Sequence, residues 1–95
     1  MDPTVETASG RLIGTSEDGL AVFRGVPYAR APVGPWRFAA PGPPEPWAGV
    51  REARAFGPAA VQSAIDVTYV PGFSLWEGIT ATGEDCLSVN VWTPG

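Results

Sequence analysis

With 95 residues, 44% of them apolar, and a formal net charge of −4, the chain is one small domain's worth of globular sequence and not a disordered tail. Its six Arg are interspersed with acids and it has no Lys, so no basic patch forms and nucleic acid is excluded as an expected partner. The 12 Gly and 11 Pro are too many for a helical bundle, and a chain this short buries only about 60–65% of its surface, so its independent stability is marginal.

The stretch Met1-Asp2-Pro3-Thr4-Val5-Glu6 has neither a basic nor an apolar region of the secretory kind, so a signal peptide is not expected. No apolar run nears the roughly 20 residues needed to cross a bilayer, and no membrane partner is expected. Cys86 is the sole cysteine, which rules out a disulfide within the chain. Cytoplasm is the expected compartment.

Thr4 to Thr15 reads as one extended run that Gly10 and Gly14 break or bend. Glu17-Asp18-Gly19 signals a tight type I′ turn, because Asp-Gly tolerates positive φ, and Leu20 to Val26 reads as the returning strand. Seven of the eleven prolines fall between Pro27 and Pro46. With Trp36, Phe38 and Trp47 as aromatic anchors, this segment reads as an ordered, extended surface loop and not a free linker.

Trp47 to Phe56 is either a short strand or a turn followed by one. Ala59 to Ile65 reads as one or two helical turns. Asp66 to Gly83 is irregular, with Pro71-Gly72 as its sharpest turn. Leu87-Ser88-Val89-Asn90-Val91 alternates apolar and polar residues, a strand pattern with Leu87, Val89 and Val91 on one face.

The chemistry these residues lack is as informative as their pattern. There is no His and no Lys, so neither Cys86 nor any Ser has the usual activating base. Zinc sites built on His or paired Cys are excluded, and no metal or cofactor is expected. Gly72-Phe73-Ser74-Leu75-Trp76 approaches the G-x-S-x-G nucleophile elbow, but Trp replaces the last Gly and is too bulky for that strained turn. Glu84-Asp85 are adjacent, and neighbours along a strand point to opposite faces, so they do not make a paired acid and base. They read as a charged turn entering a strand. No catalytic centre is expected within these 95 residues.

Five segments in order resemble the start of type-B carboxylesterases and cholinesterases. Phe23-Arg24-Gly25-Val26-Pro27-Tyr28-Ala29 resembles G-[IV]-P-Y-A, with Gly25, Pro27 and Tyr28 in register. Pro32-Val33-Gly34 followed by Arg37-Phe38 resembles P-x-G-x-x-R-F. Trp47-Ala48-Gly49-Val50 resembles W-x-G-V, and Phe56-Gly57-Pro58 with Gln62 resembles F-G-P-x-x-x-Q. Glu84-Asp85-Cys86-Leu87-Ser88-Val89-Asn90-Val91 resembles E-D-C-L-x-x-N-[VI].

The resemblance implies an α/β fold in which residues 1–95 form the N-terminal part of one α/β-hydrolase domain of the carboxylesterase type B kind. That part would be locally β-rich, with a small antiparallel sheet, long loops and, from Glu84 to Thr93, the first strand of the central sheet. It would end before the oxyanion-hole motif, and the Ser, acid and His would follow later. The implied activity is that of a serine esterase, hydrolysing small-molecule carboxylic esters through an acyl-enzyme, with this segment as scaffold. A non-catalytic adhesion relative and a truncated, non-functional reading frame are the alternatives.

The resemblance also implies single-residue roles. Arg37 and Glu84 would form a structural ion pair. Trp76 would wall the substrate pocket, or else anchor its loop in the core. Relatives with a disulfide place a Cys in the F-G-P run. Here Pro58-Ala59-Ala60-Val61-Gln62 has none, so the loop from Ala60 to Cys86 is expected to be held by packing, as suits a reducing compartment.

Overall fold

The computed structural model describes residues 2–62 and 81–94. Two three-stranded sheets carry the fold. The first has β1 (Thr4–Thr7), β2 (Gly10–Ile13) and β5 (Val50–Glu52) in the order β1-β2-β5, and the second has β3 (Thr15–Glu17), β4 (Leu20–Pro27) and β6 (Ser88–Thr93) in the order β3-β4-β6. The extended stretch from Thr4 to Thr15 is three strands shared between two sheets, with the expected interruption at Gly14 between β2 and β3. Its first break is a turn at Ala8-Ser9. There the Thr7 hydroxyl accepts from the Ser9 and Gly10 amides at 3.2 Å each and donates to the Gly10 carbonyl at 2.8 Å, a hydroxyl-built turn.

The Asp18-Gly19 turn forms as expected. Asp18 has φ 51° and Gly19 φ 79°, and Glu17 pairs directly with Leu20, the two-residue turn that matches strand twist. The proline-rich segment holds one short 3₁₀ turn, Gly34–Trp36, and is otherwise without regular structure.

At Trp47 to Phe56 the second alternative holds: a bend at Ala48-Gly49 leads into β5. This strand runs parallel to β2, so the first sheet is mixed and not purely antiparallel. The helical expectation at Ala59 to Ile65 fails over its described part. Ala59 forms an isolated bridge with Thr82, and residues 60–62 are not helical. The Ala59 amide donates to Ala81 O at 3.0 Å and the Gly83 amide to Ala59 O at 2.9 Å. Main-chain bonds thus join the chain on either side of residues 63–80.

Ala53 stitches the sheets together. Its amide donates to Ile13 O at 2.7 Å, and its carbonyl accepts from the Arg24 amide at 2.8 Å. Around that corner the core packs Leu12 from β2, Phe23 from β4 and Ala53, flanked by Ala21, Val26 and Trp47. Val22 is also fully buried, so the middle strand β4 is covered on both faces. Burying a Leu or Phe side chain contributes about 1.5–3 kcal/mol, which makes this a small core. Trp47 is locked into it by an indole N–H bond to Arg11 O at 2.9 Å.

Strand β6 has β4 as its one neighbour among the described residues. Val89, Val91 and Trp92 remain 42%, 41% and 50% exposed. This strand therefore presents apolar side chains on both faces, a pattern suited to a strand inside a larger sheet.

Candidate functional site

The family-like residues gather in two places. The first is the junction of β4 and β6. A register shift between Phe23 and Val26 marks a bulge in β4. At the bulge Gly25 takes φ 69° and donates its amide to Asn90 Oδ1 at 3.0 Å. Pro27 pairs with Ser88, and the Tyr28 amide donates to Leu87 O at 3.1 Å. Gly25, Pro27, Tyr28, Leu87 and Asn90 are thus one seam, joined mainly through backbone. The Tyr28 side chain itself is exposed.

Arg24 beside this seam is a residue the sequence reading left without a role. Its guanidinium donates to Glu17 Oε2 at 2.6 Å and Oε1 at 3.0 Å, a two-pronged pair. The Thr15 hydroxyl donates to the same Oε2 at 2.6 Å. The guanidinium carbon lies 5.2 Å from the Phe56 ring centre and 5.6 Å from that of Trp92, within cation–π range. The signal was available: a two-residue turn puts residues 15, 17, 20, 22 and 24 on one face.

Hydrogen bonds from Arg24 and then Thr15 hold the Glu17 carboxyl down from 4.5 to about 2. The Arg24 guanidinium is pushed up by the same bond. A depressed carboxyl pKa contributes stability that is complete above the ordinary value and is lost as pH falls through the folded one. The melting temperature should therefore fall on acidification from about pH 4.5 towards pH 2. Glu17→Gln should flatten that part of a thermal-melt series, and an unchanged pH profile would show that the pair does not form.

The second place brings the proline-rich loop against residues 83–86. Arg37 Nη1 donates to Glu84 Oε1 there, with both side chains about half exposed. Pro32, Phe38, Val61, Gly83 and Cys86 join this pair around a cavity of about 570 Å³. Phe38 is 98% exposed with φ 60°, an unusual backbone for a bulky side chain. Cys86 is a free, half-buried thiol. Asp85 has no ion-pair partner among the described residues. Trp76 and the Gly72–Trp76 elbow-like stretch lie outside the described residues.

Neither place is equipped for nucleophilic chemistry. The thiol and the serines have no imidazole or amine to take a proton, because the sequence contains none. What both places do is join distant parts of the chain, Gly25 to Asn90 and Arg37 to Glu84, while Arg24 and Glu17 tie the two strands of one hairpin.

The profile of the Carboxylesterase family matches residues 1–95. The chain belongs to the carboxylesterase family. It is 47% identical over 95 residues to the phenmedipham hydrolase of Pseudarthrobacter oxydans, an alignment covering 97% of this chain and 18% of that protein. It is 40% identical over 92 residues to the para-nitrobenzyl esterase of Bacillus subtilis (strain 168), covering 95% and 17%. Among solved structures, a Geobacillus stearothermophilus carboxylesterase superposes with a TM-score of 0.75 at 42% identity, over 97% of this chain and 16% of that one. A thermophilic para-nitrobenzyl esterase superposes with a TM-score of 0.82 at 38% identity, over 100% and 19%.

The fold is thus that of α/β-hydrolase esterases, and the chain spans less than a fifth of the length of these relatives. Among the described residues no helix is long and apolar enough to cross a membrane, and no cluster of His, Cys, Asp or Glu has metal-ligand spacing.

Proposed function

We propose that these 95 residues are the N-terminal scaffold of a serine carboxylesterase whose catalytic residues lie in the remainder of the domain. Small-molecule carboxylic esters are the substrates, cleaved through an acyl-enzyme with backbone amides stabilising the oxyanion. The observation that carries this reading is the seam of family-motif residues, in which Gly25, Tyr28, Leu87 and Asn90 are fastened by main-chain and amide bonds. Esterase names among the relatives support the reaction class. The lone thiol of Cys86 supports residence in a reducing compartment such as the cytoplasm. Trp76 joins the proposal as a candidate pocket wall, on its position shortly before Glu84-Asp85-Cys86.

A chimera tests it. Residues 1–95 replace the corresponding segment of the Bacillus subtilis para-nitrobenzyl esterase. The chimera should fold and hydrolyse p-nitrophenyl esters with kcat/KM within about tenfold of the unaltered enzyme, or about 1.4 kcal/mol in the barrier. A folded chimera without turnover would overturn the scaffold reading.

Arg37 and Glu84 act in this scaffold as a tie between the proline-rich loop and the entry to β6. Half-exposed pairs of this kind contribute under about 1 kcal/mol. In a double-mutant cycle, Arg37→Ala and Glu84→Ala together should cost less than the sum of the single changes. Strict additivity of the measured stabilities would show that the tie contributes nothing.

A further inference from the structure

The six arginines divide into two groups. Arg11, Arg24, Arg37 and Arg54 each hold a carboxylate, whereas Arg30 and Arg51 hold none among the described residues. Each of these two is laid against a tryptophan instead. The Arg30 guanidinium carbon is 3.5 Å from the Trp36 ring centre, and that of Arg51 is 5.3 Å from the Trp47 ring centre. Both arginines line one cavity of about 210 Å³ formed by the proline-rich loop and β5. Glu45 and Asp85 supply its negative charge, and neither has a cationic partner among the described residues.

The Arg30 main chain is held and its guanidinium is crowded. Its amide donates to Gly42 O at 3.1 Å. Its guanidinium lies so close to Gly42 that a Cβ there would collide with Nη2. Its Nε is buried without an acceptor among the described residues. A guanidinium that is stacked, and short of an acceptor among the described residues, has already lost part of the side-chain freedom and hydration that oxyanion binding would cost. A simple anion would meet Glu45 and Asp85 as like charges. A ligand bearing both charges meets each pair with its opposite.

We propose that this cavity binds a small zwitterion, its oxyanion on Arg30 and Arg51 and its ammonium on Asp85 and Glu45. The oxyanion is either a carboxylate or a phosphate monoester, that is, a free amino acid or an aminoalkyl phosphate. Its test reads no activity.

The chain is titrated with L-alanine and with phosphoethanolamine while the Trp36 indole N–H is followed by NMR. One or both should shift that resonance saturably. A response to only one identifies which oxyanion the arginines accept. The half-molecules, acetate and methyl phosphate for the two oxyanions and ethylammonium for the cation, should bind at least about tenfold more weakly. Arg30→Gln should abolish saturation. Gly42→Ala keeps every charge but displaces the guanidinium, and it should weaken binding at least about tenfold with an unchanged circular dichroism spectrum. The proposal is overturned if neither zwitterion saturates, if a half-molecule binds as tightly as the zwitterion that saturates, or if both variants bind like the original chain.

Discussion

Purified residues 1–95 should hydrolyse p-nitrophenyl acetate no faster than the same chain after denaturation. Ester hydrolysis by an acyl-enzyme needs a nucleophile, a base that takes its proton, and donors at the oxyanion. The sequence contains no His and no Lys, so the base is missing before geometry is considered. Cys86, the most nucleophilic side chain available, is half-buried and free, beside the Arg37–Glu84 pair, and the sequence offers it no imidazole or lysine amine. The rate gain of a working enzyme, about a million-fold or more, should therefore be wholly absent. Saturable turnover that persists through repurification and disappears on Cys86→Ala would show that the thiol has found another activator.

Gly25→Ala should abolish the folded state. At φ 69° a residue with a Cβ costs about 1–2 kcal/mol. The added methyl would also stand 2.8 Å from Ala55 O and 3.2 Å from Gly57 N. Both are backbone atoms and cannot swing aside. Relief requires β4 to part from the Ala53–Gly57 stretch, which strains the Arg24 amide bond to Ala53 O and the packing of Arg24 on Phe56. The Gly25 amide bond to Asn90 goes with it. The total is about 3–5 kcal/mol, as large as the stability of a marginal small domain. Far-UV circular dichroism should show an unfolded chain at 25 °C. Gly19→Ala is the control: φ is 79° there with open space around the position, so only the conformational part is lost and the chain should stay folded. Equal spectra for the two variants would show that contact at Gly25 does not matter.

The parts of this fold that local chemistry specifies were legible in the sequence. Asp18-Gly19 dictates its turn because few other residue pairs tolerate two positive φ values. The alternation from Leu87 to Val91 gives a strand whichever neighbour it finds. The Ala8-Ser9 break was missed because it is built by the Thr7 hydroxyl, and Thr equally favours an unbroken strand. The parallel pairing of β5 with β2 was hidden because its partners, Arg11 with Val50 to Ile13 with Glu52, lie far apart in the chain and no local pattern records them. The helix expected from Ala59 rested on propensity alone, and the Ala59 main chain instead bonds Ala81 and Gly83. Arg24 was quoted as part of a motif, yet its pairing with Glu17 follows only once the face shared across the hairpin is worked out.

The chimera with the para-nitrobenzyl esterase offers the most direct measurement of whether this segment contributes structure or chemistry: the pH dependence of kcat. That profile reports the groups that donate and accept protons in the bound complex. If residues 1–95 are scaffold, the profile of the chimera should superimpose on that of the unaltered enzyme, and Glu84→Gln or Asp85→Asn should leave its shape unchanged. A new titrating limb that appears with this segment, and vanishes with either substitution, would contradict the account and place a catalytic acid or base within these 95 residues.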